Sequence, residues 1–212
     1  MTDPLDNFLL ATQAVATIVD TEPDPRAETP CPEWNYAQLL GHLVGGDRLF
    51  ARILTGDGGP PKAPRMAPEP DRPPPTGQDY RETSSRIAEL LSDEGIRDAI
   101  HQVPVGPIPG HQVVVLRSVE HVLHGWDLAK AAGASTSGLE PAATALTEPA
   151  LQLLSAIGER TLADRRPFGA SVTVDETCSD LDRLVAAFGR DPRWRPGPDE
   201  GYEARLKERF AT

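Results

Sequence analysis

The sequence predicts a mainly all-α protein: an up-and-down bundle of four core helices, with an extra helix and a short C-terminal segment. Three observations support this. Four or five long segments place apolar residues at helical spacing. Strand signal is confined to brief stretches. The 22 prolines gather mainly between the periodic segments, so the chain is part core and part irregular connection. With 212 residues, it can bury one real core without a disulfide staple.

The first helix is expected over residues 5–19, where Leu5, Phe8, Leu9, Val15, Ile18 and Val19 roughly follow the helical period. The connection TEPDPRAETPCPEW follows, broken by proline. Asn35 is a good N-cap for a second helix running to about residue 54, which TGDGGPP ends. Residues 60–75 are rich in Pro and charge and can bury little, so they are expected at the surface as a long connection or lid. A third helix is expected over 78–91. Residues 96–109 are ambiguous, and their VPVGPIPG stretch reads as extended chain and turn. The fourth helix, 111–132, is the most apolar segment, with Gly133 placed to end it. A fifth is expected over 141–163. Beyond Pro167, SVTV reads as a short extended piece and residues 180–188 as a short helix. Residues 1–190 are therefore read as one helical domain and 191–212 as a polar tail, in which YEARLKERF has the composition for a turn or two of helix.

A net charge of −11 repels phosphate backbones and anionic membranes, so neither nucleic acid nor a membrane is an expected partner. No stretch approaches the roughly 20 apolar residues of a membrane span. MTDPLDNFLL has no basic leader before its apolar run, so a cytoplasmic location is expected. Cys31 and Cys178 form neither a metal pair nor a disulfide framework by spacing. Cys31 reads as small-residue packing, with no evident base to activate its thiol.

Two helices hold residues suited to metal chemistry. On the second, Leu39, Gly46, Leu49 and Ile53 lie within about 60° of His42, so His42 faces the apolar side. A core histidine bonded to a neighbour fits that position too. Gly45 and Gly46 leave room beside it, for a ligand or for close helix packing. On the fourth helix, Glu120 and His124 are four residues apart on one face, separated by a rise of about 6 Å, so both can reach one ion. Arg117 and Asp127 share that face. A solvated charged stripe gives the same pattern, although apolar residues bracket this one at both ends. His and Glu donors suit zinc, and three of them leave a fourth position open. His121 is rotated by about 100° from Glu120 and is expected to pack or hydrogen-bond elsewhere. His101 and His111 are given no role, and no catalytic acid or base is singled out. There is no phosphate-binding glycine loop and no nucleophile elbow.

TPCPEWNYAQLLGHLVGGDRLF, followed on the later helix by VEHVLHGWDLAKAAG, resembles the mycothiol-dependent maleylpyruvate isomerase family of the DinB-like superfamily. FGASVTVDETCSDLDRLVAAFGRDPRW is similar to the end of many members. The resemblance implies a DinB-like bundle in which the His of the second helix and a Glu and His four apart on a later one bind a divalent metal. Those positions are His42, Glu120 and His124 here. It also implies zinc and mycothiol as cofactors: the metal lowers the pKa of the thiol, and the thiolate attacks an electrophilic carbon. In the isomerase that addition permits rotation about a former double bond before the thiol is eliminated, and in relatives the thiol is transferred. The isomerase has a distinct C-terminal domain, of which this chain is expected to lack a full equivalent.

The expected function is thus a metal-dependent mycothiol transferase or isomerase acting on a small electrophilic substrate, in a monomer or homodimer. A metal-binding module without turnover and a hydrolase using zinc-bound water remain alternatives. Arg117 is a candidate to hold the thiol cofactor's polar body at the site mouth, and Asp127 a candidate to orient a ligand histidine.

Overall fold

The computed structural model describes residues 3–32, 34–57, 74–160 and 170–197. Its helices are α1 (Pro4–Val19), α2 (Tyr36–Thr55), α3 (Gly77–Ser92), the short α4 (Glu94–Asp98), α5 (Gly110–Ala132), α6 (Glu140–Arg160) and α7 (Asp180–Ala187). The expected all-α bundle is what is found. The ambiguous stretch 96–109 resolves into the end of α4 and a hairpin, β1 (Ile100–Val103) against β2 (Gly106–Pro109), with Val103 paired to Gly106. His101 lies in that hairpin, where its Nε2 donates to the carbonyl of Ile96 at 2.8 Å. SVTV forms no strand; the Val172 N–H donates to the Ala186 carbonyl at the end of α7. Of the Pro-rich 60–75 segment only Pro74 and Pro75 are among the described residues, and YEARLKERF lies outside them.

The helix ends follow local chemistry. Asn35 and Gln38 form a reciprocal capping box: the Gln38 N–H donates to Asn35 Oδ1 at 2.9 Å and the Asn35 N–H to Gln38 Oε1 at 3.0 Å. Gly133 ends α5 in the left-handed region, at φ 63°. Thr76 and Asp79 repeat the capping box on α3.

Helix α5 runs through the middle of the bundle, against α1, α2 and α6, with α3 covering α1 and α2 and α7 closing over α6. No helix among the described residues is long and apolar enough to cross a membrane. The core has two apolar parts. One gathers Leu39, Leu43, Val119, Leu123 and Trp126; the other gathers Phe50, Leu54, Ile87, Val113 and Leu116. Along α2 the two parts are separated by Asp47, and along α5 by Arg117, both fully or almost fully buried.

Close approach of α1 and α5 depends on Gly125. A Cβ there would lie 2.4 Å from Val15 Cγ2 and 3.3 Å from a Leu139 methyl. Both neighbours are fully buried and cannot move aside cheaply. Gly125→Ala is therefore expected to destabilise the fold by about 1–3 kcal/mol, even though Ala is the better helix former. Chemical denaturation of the variant checks this; unchanged or raised stability would contradict the close packing.

Candidate metal centre

The site is built where α2 passes α5. The turn before α2 is organised by Thr29, whose hydroxyl reaches the Trp34 carbonyl at 2.7 Å and accepts from the Cys31 N–H at 3.2 Å. The Tyr36 N–H donates to the Ala27 carbonyl and the Ala37 N–H to that of Pro25. These bonds fix Trp34, which stacks on the His42 ring with centroids 4.5 Å apart and planes 23° from parallel. The same indole meets His124 edge-on at 5.9 Å. The sequence reading assigned Trp34 no role; its position beside the N-cap of the helix carrying His42 was the available signal.

His42, Glu120 and His124 converge. His42 Nε2 is 3.3 Å and His124 Nε2 3.6 Å from Glu120 Oε2, and the three donor atoms lie within 4.8 Å of one another. Tetrahedral zinc with bonds of about 2.0–2.2 Å places its donors about 3.3–3.6 Å apart, so the donor set and two of its spacings fit such an ion. His42 and Glu120 are partly exposed, with side chains 20% and 18% accessible, so the group can be reached from solvent.

The electrostatics suit a cation. Burial lowers the His42 pKa, outweighing its hydrogen bond to Glu120, and so favours the neutral ring that ligates metal. Burial would raise the Glu120 pKa, but hydrogen bonds to His124 and His42 hold its carboxyl well below the usual range. For His124 burial acts downward, yet the carboxylates of Asp127 and Glu120 together hold it above the ordinary histidine value. Metal ligation needs the neutral ring, so metal and proton would compete for His124.

Asp127 is fully buried and bonds His124 Nδ1 through Oδ2 at 3.0 Å, leaving Nε2 aimed at Glu120. Its carboxylate is gripped in turn by Arg190, with Nη2 to Oδ2 at 2.9 Å and Nε to Oδ1 at 3.3 Å. Among the described residues, 191–197 also rest on the bundle. Lys130 Nζ donates to the Pro192 carbonyl at 2.9 Å, and the Gly197 N–H to Glu28 Oε2 at 3.2 Å.

Arg117 does not lie at a mouth. Its side chain is 3% exposed and donates to Asp47 Oδ1 from Nη2 at 2.8 Å and from Nε at 3.2 Å. Phe50 stacks below its guanidinium. A Cβ on Gly46 would meet Nη1 at 3.0 Å, so the room left by that glycine is filled by Arg117, while beside Gly45 the space is open. The expected place at the mouth, holding a cofactor's polar body, is ruled out by this burial and by the pairing with Asp47, which lies on another helix 70 residues away. His121 points away from the three donors. It bonds Tyr80 Oη through Nδ1 at 2.9 Å and Asp47 Oδ1 through Nε2 at 3.2 Å, with Phe8 edge-on to its ring. Cys31 packs half-buried against the core.

The model of the mycothiol maleylpyruvate isomerase N-terminal domain matches residues 8–129, a span that contains all three donors. An uncharacterized protein from each of two strains of Mycobacterium tuberculosis is 28% identical over 169 residues, covering 78% of this chain and 84% of its own. No solved structure gives a significant match. With more than half its length matched, from α1 through most of α5, the chain belongs to the mycothiol maleylpyruvate isomerase N-terminal domain family.

Proposed function

We propose that this chain is a metal-dependent, mycothiol-using transferase or isomerase acting on a small electrophilic substrate, with zinc held by His42, Glu120 and His124. The observation that carries the reading is the convergence of two imidazole nitrogens and one carboxylate oxygen within 4.8 Å at a solvent-accessible point. Membership in a family named for mycothiol supports the choice of thiol.

A zinc ion held by His42, Glu120 and His124 would supply a Lewis acid able to lower the pKa of a thiol, so that thiolate would be available near neutral pH. The chain's residues prepare for this. Burial keeps His42 neutral, Asp127 fixes the tautomer and rotation of His124, and Glu120 contributes one negative charge, which leaves the centre with a net positive charge to attract an anion. Trp34 covers the His42 ring and keeps water from that side.

Calorimetry in buffers of different ionisation enthalpy tests the proposal. Mycothiol binding to the zinc-loaded protein is expected to release about one proton per thiol, because sulfur binds metal as thiolate. Metal-free protein is expected to bind mycothiol far more weakly. Equal binding with and without metal would defeat the mechanism. Zinc binding with no response to thiol would favour hydrolysis by zinc-bound water.

A further inference from the structure

We propose that Arg190 is a positioning residue of the metal centre: its grip on Asp127 sets the rotation of His124, so that the segment after α6 completes a site whose donors all lie on α2 and α5. The proposal rests on the function just described. Arg190 lies beyond residues 8–129, the part matched by the family model.

The contacts form one chain from the segment to the donor. Asp127 has both carboxylate oxygens engaged, and Arg190 holds both, as a planar guanidinium can and an ammonium cannot. Asp127 Oδ2 is shared between Arg190 Nη2 and His124 Nδ1. The guanidinium is itself fixed, because Nη1 donates to the Phe188 carbonyl at 3.0 Å and the Arg190 N–H bonds the Val185 carbonyl at 3.0 Å. Its anchor is α7, which packs against α6 and buries Leu181, Leu184 and Val185. Asp127 is fully buried, so without Arg190 its charge would have, among the described residues, His124 alone to answer it. The ring would then follow the carboxylate wherever it relaxed. Groups in this relation to a ligating histidine commonly change metal affinity by about 10–100-fold.

Linkage adds a second consequence. If docking of α7 and Arg190 favours the metal-competent rotamer of His124, metal binding must favour docking by the same factor. Amide protons of residues 180–190 are then expected to exchange more slowly in the zinc form than in the metal-free form, although none of these residues touches the metal.

The experiment uses the full chain and measures zinc affinity by competition with a chromophoric chelator, together with the visible spectrum of the cobalt-substituted protein. Arg190→Gln is expected to weaken zinc about 10–100-fold and to alter the cobalt spectrum. Arg190→Lys keeps the charge and is expected to recover part of the loss. Ile87→Val, in the apolar part of the core away from the donors, lowers stability without touching Asp127 and is expected to leave affinity unchanged. Hydrogen exchange on the unaltered protein provides the readout should a variant fail to fold. Wild-type affinity and an unchanged cobalt spectrum in Arg190→Gln would overturn the role of Arg190 while leaving the centre intact. Exchange at 180–190 indifferent to zinc would overturn it too. A wild-type protein that binds no zinc would overturn the centre, and this role with it.

Discussion

Replacing His124 by Ala is expected to abolish metal binding while the bundle stays folded, and replacing the nearby His121 by Ala is expected to leave metal binding largely intact while lowering the stability of the fold. Loss of His124 leaves two protein donors, too few to hold zinc against water. Asp127 keeps both bonds to Arg190 in that variant, so no buried charge is stranded. His121 is a different case. Its ring is completely buried, against Phe8 and between Tyr80 and Asp47. Truncation opens a cavity and removes a partner from both the Tyr80 hydroxyl and Asp47 Oδ1. Together these effects are expected to cost about 3–5 kcal/mol, a large part of the stability of a domain this size. Elemental analysis and denaturant melts on the two variants separate the outcomes. Equal loss of metal from both would mean that the wrong histidine has been assigned.

The second large effect is expected at Arg117. Arg117→Ala removes the guanidinium paired with Asp47, whose side chain is completely buried and whose Oδ2 has no hydrogen-bond partner among the described residues. Breaking one side of a buried pair costs about 3–5 kcal/mol. Replacing both partners by apolar residues of similar volume should recover much of that, because no charge is then stranded. Acid should act at the same place. Burial pushes the Asp47 pKa upward, but His121 and Arg117 together hold it below the ordinary aspartate value. A group depressed in the folded state contributes stability that is complete above its unfolded value, near pH 4, and is lost as pH falls through the folded value. The wild type is therefore expected to lose stability below about pH 4, with a smaller loss in the doubly apolar variant. Identical acid profiles for the two would show that Asp47 is not the sensitive group.

Where the bundle was legible in the sequence, the information was local. Asn35 and Gln38 announce the start of α2, Gly133 the end of α5, and the four-residue spacing of Glu120 and His124 puts both on one side of a helix. The pairing of His42 with Glu120 spans 78 residues; periodicity left it open, and it rested on the resemblance. Most of what was missed depends on long-range partners. Asp47 looks like an ordinary charge beside Arg48, and only the approach of α5 reveals that it answers Arg117 and His121. Arg190 stood next to a segment read as a polar tail, and its role depends on Asp127, 63 residues earlier. The hairpin at 100–109 was hidden because short Pro- and Gly-containing runs fit a loop as well as a two-stranded ribbon.

The most direct test is X-ray absorption at the zinc edge, with and without mycothiol. Zinc-loaded protein alone is expected to show only nitrogen and oxygen neighbours at about 2.0–2.2 Å, including the signature of two imidazoles. Saturating mycothiol is expected to add one sulfur at about 2.3 Å. Sulfur around zinc before thiol is added would point to cysteine ligation and contradict the His–Glu–His assignment. No sulfur after saturation would contradict the thiol chemistry.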